Sequence, residues 1–113
     1  MTIDAASPEA TPETAPDLDE GLKALVHPVR RAILAKLKTP EAWFAGQEQP
    51  LSLGVCAGQI ERGCPLSQST VSAHLAALQS TGLITGRRIG QWVFYKRNEA
   101  AIEALLSRLR ETL

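Results

Sequence analysis

The sequence predicts a mainly α-helical fold of five or six helices with a single β-hairpin, and three stretches predict it. In residues 67–84, SQSTVSAHLAALQSTGLI, Val71, Leu75 and Leu78 recur at +4 and +3 and so share one helical face. Residues 83–96 hold two short runs of strand composition around Ile89-Gly90. Residues 98–113 set Ile102, Leu105, Leu106, Leu109 and Leu113 on a second helical stripe, behind an asparagine suited to cap it.

The 113 residues suit one domain with a modest core. No apolar run nears the ~20 residues of a membrane span, and the N-terminus lacks the basic-then-apolar order of a secretion signal. The expectation is a cytoplasmic protein without membrane contact, its two cysteines reduced. Formal net charge is zero but unevenly spread. Met1 to Glu20 holds six of the twelve acids (Asp4, Glu9, Glu13, Asp17, Asp19, Glu20) and none of the twelve Lys and Arg. Twelve bases then face six acids in the remainder, a net +6. Residues 1–17 are rich in Pro, Ala, Thr and acid and lack aromatics, Leu and Val, which reads as a disordered tail. It is either an inert solubilising segment or an arm that competes with nucleic acid for the basic domain, residues 18–113.

In chain order, Leu18, Leu22, Leu25 and Val26 mark a short amphipathic helix. His27-Pro28 ends it, and Pro28 opens the next. That second helix buries Val29, Ile33, Leu34 and Leu37 and exposes Arg30, Arg31, Lys36 and Lys38, a basic face that is either solvated or set against phosphates. Thr39-Pro40 repeats the cap-and-restart, and EAWF forms a turn or two with Trp43 and Phe44 seeking cover. AGQEQPLSLG reads as loop. Leu53, Cys56, Ala57, Ile60 and Cys64 then share a helical face.

Pro65-Leu66 makes a tight turn into Ser67, whose hydroxyl caps the following helix through the Thr70 N–H. Gly82 stands where that helix stops. The solvent side of this helix carries Ser69, Thr70, Ser72, Ala73 and Ala76, without the Lys and Glu of a plain surface helix. Small, uncharged side chains let a helix enter a groove, where hydroxyls and amides bond to base edges and phosphates. The plainer reading is an ordinary packed helix. Short helix, tight turn and longer helix make a helix-turn-helix. The hairpin follows directly, with Arg87 and Arg88 near its tip, Val93 and Tyr95 on one side and Trp92 and Phe94 on the other. A basic hairpin there is the wing of a winged helix-turn-helix. The stripes of the first and last helices either close the monomer's core or pair across a two-fold axis, through Leu18, Leu22, Leu25, Ile102, Leu105, Leu106 and Leu109.

LKALVHPVRRAILAKL, SQSTVSAHLAALQSTGLI and RRIGQWVFYKRNE, in that order, resemble the ArsR/SmtB family of bacterial winged-helix repressors. The resemblance runs from about Leu18 to Leu113. It implies a homodimer built on the first and last helices, double-stranded operator DNA as partner, and release of that DNA by an inducer. Ser67, Gln68, Ser69, Thr70, Ser72 and His74 match the family's recognition-helix positions, and Arg87, Arg88 and Gln91 match its wing. His74 suits a structural or phosphate-bonding role better than metal ligation, since no second ligand lies beside it in sequence.

The sensor departs from the family pattern. Metal-sensing members often carry close-spaced cysteines before the recognition helix, where this chain has only Cys56, with Gly58 and Glu61 nearby. Residues 98–113 contain no His and no Asp, against a metal site on the last helix. If Cys56 and Cys64 share one helix, eight residues separate them by about 12 Å. A disulfide needs Cα atoms within about 7 Å. No cofactor is expected. Cys56 is read first as a buried thiol, and second as a sensor of oxidant, persulfide or a thiophilic metal. The connection Thr39–Gly54 is longer than the family's, and is either a surface elaboration or a lid over a small apolar ligand. The function expected is a dimeric transcriptional repressor. The alternative is a winged-helix protein-interaction module. No nucleophile–base pair, phosphate loop or carboxylate cluster suggests an enzyme.

Overall fold

The computed structural model describes residues 17–113. The disordered tail expected at residues 1–17 lies outside them except for Asp17, which is the N-cap of the first helix and accepts from the Glu20 N–H at 3.3 Å. The described elements run α1 (Leu18–Leu25), α2 (Pro28–Lys38), α3 (Pro40–Trp43), a 3-10 turn (Leu51–Leu53), β1 (Val55–Cys56), α4 (Ala57–Arg62), α5 (Gln68–Ser80), β2 (Ile84–Ile89), β3 (Trp92–Arg97) and α6 (Glu99–Thr112). Six α-helices and an antiparallel sheet of order β1-β3-β2 make the mainly α fold with a hairpin.

Local rules place most boundaries. Pro28 and Pro40 open α2 and α3 at positions whose N–H would lack a helical partner anyway. Thr39 precedes α3 but makes no capping bond with its side chain. Asn98 caps α6, its Oδ1 accepting from the Ala101 N–H at 3.1 Å. Gly82 leaves α5 with φ of 81°, a conformation glycine takes without a Cβ penalty. The wing pairs Ile84 with Arg97 through to Ile89 with Trp92.

The core gathers Ile33, Leu34 and Leu37 of α2, Val71, Leu75 and Leu78 of α5, the strand residues Val55 and Ile84, and Leu105 of α6. Each such aliphatic contributes about 1.5–3 kcal/mol by leaving water. The sheet's Phe94 is buried as well, so of the two hairpin faces the one bearing Phe94 turns inward at that point.

Three expectations are corrected. Leu53 to Cys64 is not one helix. Its first part is a 3-10 turn, its middle pairs as β1 with Tyr95 and Phe94, and only Ala57–Arg62 is helical. Val55, off the expected helical face, is among the most buried residues. The pairing with β3 overrides the helical period. Trp43 finds no cover and stays 59% exposed, while its neighbour Phe44 is buried. Lys36 instead sits over the Trp43 ring, Nζ 5.0 Å from the centroid. In α1, the residues facing inward are Gly21 and Ala24, with Leu18 and Leu25 partly covered and Leu22 and Val26 exposed.

Candidate nucleic-acid interface

The face of α5 away from the core is built from short side chains. Gln68, Ser69, Thr70, Ser72, Ala73 and Ala76 are exposed, whereas Val71, Leu75 and Leu78 are buried. At its start the Ser67 hydroxyl accepts from the Thr70 N–H at 3.3 Å and lies 2.8 Å from the Thr70 hydroxyl. The Ser69 hydroxyl is 3.3 Å from that of Ser67. Three hydroxyls and the free N–H groups of the first turn thus face outward together, a set that suits phosphate oxygens. The helix carries no charged side chain along its length.

His74 is placed differently from its neighbours. It is half-buried, and its Nδ1 accepts from Arg30 Nε at 3.0 Å. An accepting Nδ1 leaves the ring proton on Nε2 and the ring neutral. Burial holds its pKa below 6.5, helped by the charges of Arg30 and His27. The absence of a second ligand beside it, expected from sequence, does not hold in space: the His27 ring is 5.7 Å away, tilted by 55°. With Nδ1 engaged by Arg30, the pair acts as a strut between α2 and α5.

The basic face of α2 is likewise turned to structural use. Arg30 reaches the Ala24 carbonyl (3.5 Å), Arg31 the Leu25 carbonyl (2.6 Å) and Lys36 the Gly63 carbonyl (3.2 Å). These are the orphan carbonyls at the ends of α1 and α4, which cations suit. Four cations on one helix were visible in sequence, but the carbonyl partners of Arg30, Arg31 and Lys36 were not.

On the wing, Arg87, Arg88 and Gln91 are all exposed. Arg87 lies opposite Phe94 and Arg88 opposite Val93, so the two arginines leave opposite faces of the hairpin. The Arg88 guanidinium also donates to the Gly90 carbonyl at 3.4 Å.

Cys56 is buried. It closes β1 as the N-cap of α4, with its N–H donating to Gln47 Oε1 at 2.8 Å. Gln47 also donates to the carbonyls of Gln49 and Gly54, both at 3.1 Å. This buried amide, which no sequence signal marked, ties the Thr39–Gly54 connection down onto β1. Cys64 lies beyond α4 and is half-exposed, so the two cysteines do not share a helix. Among the described residues no three His, Cys, Asp or Glu side chains come together in a group that could hold a metal ion.

A family model described as the arsR family of bacterial regulatory proteins matches residues 55–85, which span β1, the helix-turn-helix and the start of the wing. Over 93 residues the chain is 41% identical to YbzH, an HTH-type transcriptional regulator of Bacillus subtilis, covering 80% of this chain and 93% of that one. The chain belongs to the ArsR family. A second relative is YgaV, an HTH-type transcriptional regulator of Escherichia coli, at 34% identity over 79% of this chain and 78% of that one. Among solved structures, HlyU of Vibrio cholerae aligns with a TM-score of 0.56 and 32% identity, covering 80% of this chain and 88% of that one. The chain is therefore a DNA-binding, winged helix-turn-helix transcriptional regulator of the ArsR family, a class without catalytic function. Among its described residues no helix is long and apolar enough to cross a membrane.

Proposed function

We propose that this ArsR-family chain is a cytoplasmic homodimeric repressor, released from its operator by an inducer. The observation that carries the reading is the exposed, uncharged, short-chained face of α5, with Arg87 and Arg88 on the hairpin that follows it. Ser67, Gln68, Ser69, Thr70 and Ser72 meet bases and phosphates in the major groove. Arg87, Arg88 and Gln91 hold the flanking backbone or minor groove. His74 contributes through the position of α5, since Arg30 occupies its Nδ1. Leu22 and Leu106, exposed on neighbouring α1 and α6, supply the two-fold contact, with Leu18, Leu25, Ile102 and Leu109 around them. Release is not assigned to Cys56, whose side chain is buried, and the reading needs neither cofactor nor metal.

The test is fluorescence anisotropy of the full chain on duplexes from its own upstream region. Binding to a pseudo-palindrome with half-sites about 10 bp apart, or a multiple, is the expected result, with affinity falling steeply in salt. Equal binding to random duplex at low salt overturns the proposal.

A further inference from the structure

Beside the turn that joins α4 to α5 lies a cavity of about 90 Å3 with mainly apolar walls. Val29, Ala32 and Ile33 of α2 form one side, and Phe44, Ile60 and Cys64 the other. It shares Lys36, Phe44 and Gly63 with an outer recess of about 230 Å3, to which Trp43, Gln59 and Arg62 are added. The two spaces differ in chemistry. The inner one is mostly apolar, and the outer one carries two cations, Lys36 and Arg62, and two aromatic rings, Trp43 and Phe44. Neither has an acid in its walls, and among the described residues Lys36 and Arg62 have no carboxylate partner. Lys36 is held by the Gly63 carbonyl at 3.2 Å and by the Trp43 ring, which leaves ammonium protons free for a third acceptor. The long connection after α2 thus supplies a wall, Phe44, and a piece of the mouth, Trp43.

We propose that this paired space is an effector site for a short-chain aliphatic carboxylate. Its tail fills the inner cavity and its carboxylate lies between Lys36 and Arg62. Size selects the tail. A water occupies about 30 Å3 and an apolar cavity that takes benzene is about 150 Å3, so the inner space suits three or four chain atoms and not a ring. Charge selects the head, because a desolvated carboxylate needs cationic donors and finds two. The site touches the segment that positions α5. A tail between α2 and Gly63–Pro65 presses on the turn. A carboxylate on Lys36 competes with the Gly63 carbonyl that Lys36 now holds. The link to DNA release rests on the proposed function, whereas binding itself does not.

The probe is sodium valerate, with valeramide as its neutral counterpart and acetate as the tailless one. In a Trp92→Phe chain Trp43 is the sole tryptophan, and its fluorescence reports the mouth directly. Valerate should give a saturable change, with valeramide and acetate weaker by about tenfold or more. Lys36→Met should weaken valerate by a similar factor. Ala32→Phe, which adds bulk to the wall of the inner cavity, should abolish binding while the circular dichroism and Tm of both variants stay near those of the parent. A second readout is alkylation of Cys64 by N-ethylmaleimide in a Cys56→Ser chain, which valerate should slow and valeramide should not. Equal responses to valerate and valeramide, or none to either with the fold intact, overturn the site. With the unmutated chain on its operator, valerate should lower affinity about fivefold or more. Operator binding with a flat valerate titration overturns the site and leaves the repressor reading standing. Valerate binding by a chain that prefers no duplex does the reverse. Valerate binding that leaves operator affinity unchanged overturns the effector role.

Discussion

Arg30 of α2 donates its Nε–H to Nδ1 of His74 in α5 across 3.0 Å, joining helices through residues 44 positions apart. Only a neutral imidazole can accept this bond, and the fold lowers the His74 pKa below 6.5 by burial and by the charges of Arg30 and His27. The folded state then binds fewer protons than the unfolded one between the two pKa values. The stability this group contributes is complete above about 6.5 and is lost as pH falls through that value toward the lower folded one. The urea midpoint of the wild-type chain should therefore fall, as pH drops below about 6.5, more steeply than that of His74→Gln, which keeps an acceptor and does not titrate. Parallel pH profiles for the two proteins would show that the ring is not held neutral.

What the sequence disclosed follows the reach of each signal. The Ser67 cap, the stop at Gly82, the Asn98 cap and the turn at Gly90 all depend on residues within about four positions, where local rules apply. The stripes of α5 and α6 were legible because 13 and 14 residues give a period room to repeat. β1 has two residues, too few for any period, and is fixed by pairing with Tyr95 and Phe94 about 40 positions later. The same holds for the site. The exposed face of α5 could be read from spacing, but the inward restraint of His74 by Arg30 is a tertiary contact that no local pattern encodes.

Gln47 is the clearest case of such a contact with a measurable consequence. One buried amide satisfies the Cys56 N–H and two carbonyls, those of Gln49 and Gly54. Gln47→Ala leaves these groups without their partner and should cost about 2–3 kcal/mol in urea unfolding. Gln47→Glu should cost at least as much, since a carboxylate would face two carbonyl oxygens where the amide donates. In a Cys64→Ser chain, Gln47→Ala should also raise the rate at which an uncharged reagent alkylates Cys56, because the loop that covers it loses its tie. A thiol that stays equally slow would mean the cover does not depend on Gln47.

Leu105 and Leu106 are adjacent in α6 and separate two roles that one stripe had merged. Leu105 is 2% exposed in the single chain, packed where α1 offers Gly21, and a Cβ on that glycine would stand 2.8 Å from a Leu105 methyl. Leu106 is 42% exposed, and the proposed reading gives it to a partner. Leu105→Ala should destabilise by about 2–5 kcal/mol as a core truncation. Leu106→Glu should leave the monomer folded and shift sedimentation equilibrium from dimer to monomer. A dimeric Leu106→Glu protein would place the two-fold contact elsewhere.

In the proposed reading the wing makes a different kind of contact from α5, and salt separates them. Arg87 and Arg88 are long, exposed cations leaving opposite faces of a hairpin, so each is suited to a phosphate. Arg87→Ala should weaken binding to specific and random duplexes alike and lower the slope of log affinity against log salt by about 1, the signature of one phosphate contact. Ser72→Ala, on the uncharged face of α5, removes no charge and should leave the slope as it is while changing the order of preference among operator variants. Anisotropy titrations of both proteins at several salt concentrations decide it. A changed slope with Ser72→Ala, or a changed sequence preference with Arg87→Ala, would exchange the roles given to α5 and the wing.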